Sequence, residues 1–335
     1  MRSFSVFASI LLGILPGCSR PPEEIFRTTV EMTIDGNDPG AIFTPAGLCV
    51  DDSGRVLVLD RYMGQVDIFN PDGSFVASFG GWGEGPGRLS WLFFNFCVDD
   101  AGNVYLIDER RIIEVFDRNG SFARSMDPDE PPGFWQIFDI AVSDSIIVLN
   151  CTSPLAEDSW NAITVTGTDG RILRRFGGTA SDLDGMPPAL VDFYRSCTID
   201  IDDEGSIYYT SIMDYAVCKY TAEGALVFGS VPESSPEPVV DIPDPDEFRG
   251  VSLVRPAVWD LCVAGGMVFV VRGEPDEARG SRVDVFSAET GEFLGFLYTG
   301  VPAGGMPYCI RVSGGSLYTA DADGAIVYKL ALGRL

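Results

Sequence analysis

Asn95, Asp139 and Asp260 each stand immediately before an apolar–small–Val triplet: Phe96-Cys97-Val98, Ile140-Ala141-Val142 and Leu261-Cys262-Val263. A shared signature of this kind marks a shared place in a repeat, so one amide and two carboxylates are predicted to lie in one layer. Asp200 and Arg311 fall one step along the same register. Grouped oxygens are the ligands that hard divalent cations prefer, which makes Asn95, Asp139 and Asp260 candidate ligands for an ion such as calcium. Asp200 is then the candidate base beside it. The competing reading has these polar groups lining a wet channel, bonded to water and backbone. Histidine is absent from the chain. That removes Ser-His-Asp and Cys-His nucleophiles, His-ligated zinc and imidazole acid–base catalysis. Asp200-Ile-Asp-Asp-Glu-Gly205 and Asp321-Ala-Asp-Gly324 lack the distal Glu of a calcium loop and read as hairpin turns.

Eight cysteines add a second kind of chemistry. Cys49, Cys97 and Cys262 hold equivalent repeat positions, which suits small buried residues at a tight site. Cys151 and Cys197 are placed so that a bridge between neighbouring repeats stays open. No Cys-x-x-Cys occurs, and a zinc site is not expected. The 49 acidic residues exceed the 23 basic ones, giving a net charge of −26. Nucleic acid is therefore not an expected partner, because its phosphates would be repelled.

The elements that position these residues come from a repeat. Segments 48–60, 96–108, 140–150, 199–211, 261–272 and 310–321 align. Each holds two β-type runs around an Asp, Ser or Gly turn, the mark of a hairpin. A third run follows in most, as at Val66–Phe69, Ile112–Phe116, Ala216–Tyr220 and Val283–Phe286, and then a fourth, as at Phe75–Phe79. Four strands roughly every 50 residues, six times over, predict an all-β six-bladed propeller of four-stranded blades across residues 28–335. Before the reference position stand Leu48, Phe96, Ile140, Ile199, Leu261 and Ile310, and after it Val50, Val98, Val142, Ile201, Val263 and Val312. The sixth repeat runs out of chain before its outer strand. Thr28–Ile34 alternates and stands alone before the first blade, so it is predicted to supply that strand and close the ring.

Gly47-Leu-Cys-Val-Asp-Asp-Ser-Gly-Arg-Val-Leu-Val-Leu-Asp60, Val66-Asp-Ile-Phe-Asn-Pro-Asp-Gly-Ser-Phe75 and Phe79-Gly-Gly81 resemble an NHL repeat, and residues 96–122 give a second match. The resemblance holds at motif level over 47–126 and in architecture over about 28–335. It implies a six-bladed propeller, similar to bacterial lipoproteins of that build. Propellers of this kind include binding scaffolds, lactonases and lyases, so the fold does not select a function. The oxygen cluster resembles, in residue type and layer, the divalent-metal site of gluconolactonase-type propellers.

The leader points to an address. Arg2 precedes an apolar run, Phe4–Leu15, too short for a helix to cross a hydrocarbon core of ~30 Å. The run ends Leu15-Pro16-Gly17-Cys18, which resembles a bacterial lipobox, so residues 1–18 read as a lipoprotein signal with Cys18 the lipidated residue. Residues 19–27 read as a tether, and Ser19 fits the outer-membrane sorting pattern. The expected location is extracytoplasmic, anchored in the cell envelope.

Loops that lead into the innermost strands and join second to third strands carry Arg61, Tyr62, Trp82, Trp91, Arg111, Trp135, Arg195, Tyr215 and Arg255. Arg and aromatics gathered at one rim suit recognition. The Gly80-Gly-Trp-Gly-Glu-Gly-Pro-Gly87 loop has no following helix and no Lys, so it is not a phosphate loop. Insertions at 151–162 and 230–256 interrupt the blades; the second is Pro-rich and acidic, a flap or a disordered segment. The expected function is a monomeric, lipid-anchored, non-enzymatic module that binds a protein, peptide or glycan through this rim. The alternative is a divalent-metal-dependent lactonase-like hydrolase in the channel, with the metal polarising a carbonyl.

Overall fold

The computed structural model describes residues 22–35, 44–89, 95–107, 112–128, 136–143, 145–152, 162–177, 196–232, 234–241, 252–301, 307–321 and 325–335. Six antiparallel four-stranded sheets form the blades. From innermost to outermost, blade 1 is Pro45–Val50, Val56–Asp60, Gln65–Phe69 and Phe75–Gly80, and blade 2 is Phe96–Val98, Val104–Ile107, Ile113–Phe116 and Phe122–Met126. Blade 3 is Gln136–Val142, Ile146–Thr152, Ile163–Gly167 and Ile172–Phe176; blade 4 is Cys197–Ile201, Ile207–Ser211, Val217–Tyr220 and Leu226–Ser230. Blade 5 is Val258–Ala264, Met267–Asp276, Gly280–Ser287 and Phe293–Tyr298. Innermost strands of successive blades touch in order around the ring, the sixth against the first.

Blade 6 takes Pro307–Ser313, Ser316–Asp321 and Ile326–Arg334 from the end of the chain and Phe26–Asp35 from its start. The N-terminal strand pairs from Phe26 against Arg334 to Asp35 against Ile326, so the ring closes as the alternating pattern predicts. Pairing begins earlier than expected. Ile25 donates to Phe296 O at 2.8 Å and Phe296 donates to Glu23 O at 3.0 Å, which seats residues 23–25 along the outer edge of blade 5. Thr28 Oγ1 then donates to Tyr298 O at 2.9 Å. Residues 23–27, expected to belong to a tether, instead have backbone partners at the edges of blades 5 and 6.

The middle strands are buried on both faces, as along Val56–Asp60 and Ile207–Ser211, because each blade packs against a neighbour on either side. Leu48, Phe96, Ile140, Ile199, Leu261 and Ile310 are all buried between blades, while Val50, Val98, Ile201, Val263 and Val312 are half-buried. The core is a set of clusters at blade boundaries, such as Leu57, Leu59, Ile68 and Phe79 of blade 1 with Phe96, Leu106 and Phe116 of blade 2. A second seam repeats further out. A Cβ at Gly120, in the outer turn of blade 2 with φ +80°, would lie 2.6 Å from the ring of Phe79 on blade 1. Gly224 meets Phe176 and Gly291 meets Phe228 in the same way. The insertion before blade 5 includes a two-stranded sheet, Val239–Asp241 with Ser252–Arg255.

Candidate functional site

Innermost strands are edge strands, so their axis-facing backbone N–H groups find no strand partner, and a buried one must be satisfied otherwise. Carboxylates of the preceding blade do this. Asp139 accepts from its own neighbour, Ile140 N, at 2.8 Å through Oδ1 and from Ile199 N of blade 4 at 2.8 Å through Oδ2. Asp260 repeats the arrangement, with Leu261 N at 2.8 Å and Ile310 N of blade 6 at 2.8 Å. Asp200 repeats it one layer along, with Ile201 N at 2.9 Å and Val263 N of blade 5 at 2.8 Å.

Other side chains complete the belt. The Asn95 amide donates to Asp139 Oδ1, tying blade 2 to blade 3. Thr198 Oγ1 donates to Asp260 Oδ1 at 2.9 Å, tying blade 4 to blade 5. Arg311 Nη1 of blade 6 reaches Asp260 Oδ2 at 2.9 Å. Cys49 Sγ donates to Phe96 O at 3.4 Å, joining blade 1 to blade 2.

The sequence places Asn95, Asp139 and Asp260 together, and the structure does bring Asn95 and Asp139 into contact. Their polar atoms are taken up by protein partners. Both oxygens of Asp139 and both of Asp260 already accept from amides, hydroxyls or a guanidinium, and Asn95 spends its oxygen on Phe96 N at 2.9 Å. Among the described residues no group of three or more His, Cys, Asp or Glu has a geometry that could hold a metal ion. Asp200, the candidate base, is spent on two amides in the same fashion. Burial, and then the Asp260 charge, push the Asp139 carboxyl up to about 7 against the pull of the Ile199 amide. Burial pushes Asp200 up to about 6, opposed chiefly by Arg311. Burial opposes the charge of the Arg311 guanidinium, but Asp260 and then Cys49 and Asp200 outweigh it and hold the group firmly protonated.

The thiols follow the repeat. Cys49, Cys97, Cys262 and Cys309 are buried thiols, as are Cys151 and Cys197; Cys151 Sγ donates to Thr164 Oγ1 at 3.0 Å, and the bridge left open from the sequence is not formed. Burial raises Cys49 to about 11, which makes it a poor nucleophile at neutral pH.

At the rim the expected residues divide. Arg61, Tyr62 and Trp82 are exposed, and Tyr62 is 68% accessible. Arg255 is half-buried and pairs with Glu274 at 3.3 Å. Tyr215, expected at the rim, is instead buried, and its hydroxyl donates to Asp284 Oδ2 at 2.8 Å, so it belongs to the interior. Trp91, Arg111, Trp135 and Arg195, like Cys18, lie outside the described residues. The Asp284 cluster escaped the sequence reading. This fully buried carboxylate takes Arg282 Nε at 2.7 Å and Arg272 Nη1 at 3.5 Å as well as Tyr215. Arg272 also donates to Ser234 O at 3.0 Å, which ties the start of the insertion to blade 5. Gly280–Ser287 is buried on both faces over most of its length, and no residue pattern in the strand marks Asp284 as interior.

Comparison with known proteins agrees with the architecture. Residues 44–69 match the NHL repeat model. Protein wech of Drosophila melanogaster is 46% identical over 46 residues, 14% of this chain and 6% of that protein. Protein lin-41 of Caenorhabditis elegans is 44% identical over 43 residues, 13% of this chain and 4% of that protein. The chain thus spans only a small part of the curated relatives it matches. Virginiamycin B lyase from Staphylococcus aureus superposes with a TM-score of 0.53 at 13% identity, covering 92% of this chain and all (100%) of that one. A member of the DUF4221 family from Bacteroides vulgatus gives 0.59 at 10% identity, with 93% and 99% covered. At these identities the likeness is one of fold. The chain is a six-bladed β-propeller whose first blade carries an NHL repeat.

Proposed function

We propose that this propeller is a binding module that recognises a protein or peptide partner through the loop rim, with the channel serving as structure. The observation that carries this reading is the belt of Asp139, Asp200 and Asp260, whose oxygens are consumed in holding blades together. Carboxylates so engaged are poor candidates for ligating a cation or moving a proton during turnover. Chemistry suited to recognition lies instead at the exposed Arg61, Tyr62 and Trp82.

A photo-crosslinking residue placed at position 62, and separately at exposed Val227 on an outer strand, tests the reading in the native host. A discrete adduct from position 62 that is absent from position 227 is expected; adducts from both positions or neither would overturn it. Melting with EDTA and with added calcium should give one and the same temperature. A clear stabilisation by calcium would instead return the channel to the metal-dependent reading.

We further propose that Cys18 is lipidated and holds the propeller at the outer face of a membrane. Support comes from the Leu15-Pro16-Gly17-Cys18 sequence after a short apolar run. Metabolic labelling with a fatty acid should mark the wild type and leave Cys18→Ser unlabelled; equal labelling would discard the anchor.

A further inference from the structure

Resting on the binding-module reading, we propose that a platform on blade 1, formed by Tyr62, Met63 and Trp82 and flanked by Arg61 and Arg88, is the recognition point. Its partner is a peptide segment in which an apolar residue is flanked by Asp or Glu.

The platform is rigid by construction. Buried Asp60 accepts from Tyr62 N at 2.8 Å and Met63 N at 3.2 Å, fixing the turn that displays both side chains. Arg61 N donates to Thr44 O at 2.8 Å. Trp82 Nε1 donates to Tyr62 O at 2.9 Å. One side of the indole packs directly on the Gly64 backbone, where a Cβ would come within 2.6 Å of the ring and φ is +67°. Leu89, buried in the core between blades 1 and 2, anchors the far end of the loop, and Leu89 N donates to Gly81 O at 3.1 Å. Yet Tyr62, Met63 and Trp82 remain 68%, 38% and 38% exposed, a cluster of large apolar groups in a loop that has already lost its freedom. Surfaces that are ordered before binding lose less entropy on association.

The geometry also selects the ligand. Because the indole N–H is already used, Trp82 offers a π-face and apolar area. Met63 and Tyr62 extend that apolar area, and a flexible Met side chain adapts to an apolar side chain laid against it. Exposed Arg61 supplies positive charge on a molecule whose net charge is −26, and exposed Arg88, whose Nη1 donates to Gly80 O at 2.7 Å, adds a second, positioned one; Glu84 is the one exposed acid in the Gly81–Leu89 loop. Charge complementarity at this point favours carboxylates, and long-range repulsion from the rest of the surface fades beyond a Debye length of about 8 Å.

Selection of a random-peptide library on the full chain, repeated on Trp82→Ala and Arg61→Ser, tests the proposal. Enriched peptides should place an apolar residue beside Asp or Glu. A synthetic peptide from that set should bind Trp82→Ala and Arg61→Ser each about tenfold more weakly than wild type. Arg61 is exposed, so its replacement reads recognition even if Trp82→Ala folds poorly. Enrichment of peptides that bind both variants as well as wild type, or that lack acids, would overturn the platform while leaving the binding-module reading standing. Failure of any peptide to enrich would remove the platform, and equal adducts at positions 62 and 227 would remove the broader reading with it.

Discussion

Three aspartates do one job in this protein. Asp139, Asp200 and Asp260 each bond their own next amide with one oxygen and an amide of the following blade with the other. Removing one strands several buried donors, each costing about 1–3 kcal/mol when left unsatisfied. Asp139→Ala abandons Ile140 N, Ile199 N and the Asn95 amide, and is expected to lower the unfolding free energy by about 2–4 kcal/mol. Urea denaturation beside exposed Asp52→Ala, expected within about 0.5 kcal/mol of wild type, measures the difference. If both variants unfold alike, the belt is not a structural fastener. The repeat register groups these aspartates, and their bonds to Ile199, Val263 and Ile310 N follow that register from blade to blade. Their partners were not legible, because an oxygen that caps an amide and one that ligates a cation have the same residue type and register.

Blades are held to one another by what their neighbours leave out. Turn glycines accept the outer-strand aromatic of the preceding blade at Gly120 on Phe79, Gly224 on Phe176 and Gly291 on Phe228. Gly120→Ala meets two penalties at once, a φ of +80° that an L side chain resists and a Cβ 2.6 Å from the Phe79 ring. The expected cost is about 2 kcal/mol or more, read as a lower melting temperature. Gly205, with φ +79° and open space around it, isolates the backbone part. Gly205→Ala should cost about 1 kcal/mol, and equal losses at the two positions would mean that the inter-blade contact contributes nothing. Strand positions were legible because a short apolar run bounded by turn residues is a local signal. The use of Glu23 to Ile25 on blade 5 was not, since a short polar segment carries no period and its partner lies far along the chain.

At the scale of the molecule, buried acids set the pH response. Burial raises Asp139 to about 7 and both Asp200 and Asp67 to about 6. An unfolded Asp releases its proton near pH 4, so between that value and 7 the folded chain holds more protons. Stability from these groups is therefore full below the unfolded value and is lost as pH rises through 6 to 7. Melting at pH 5 should lie above melting at pH 8, and Asp139→Asn should flatten the upper part of the profile. General repulsion from a net charge of −26 pushes the same way, but salt screens it and leaves the buried acids nearly untouched. A pH dependence abolished by high salt would assign the effect to the surface instead.

The sequence by itself determined the blades, their number and the N-terminal strand that closes the last one, because each rests on a repeated pattern of short apolar or alternating runs and turn residues close in the chain. It also placed Asn95, Asp139, Asp200, Asp260 and Arg311 around one axis. Only the tertiary structure decided what those groups bond to, that Tyr215 turns inward to Asp284, and that Tyr62 and Trp82 share a surface with Met63. Such pairings join residues tens of positions apart, and which polar atom meets which is fixed by how whole blades pack, a geometry that no local pattern encodes.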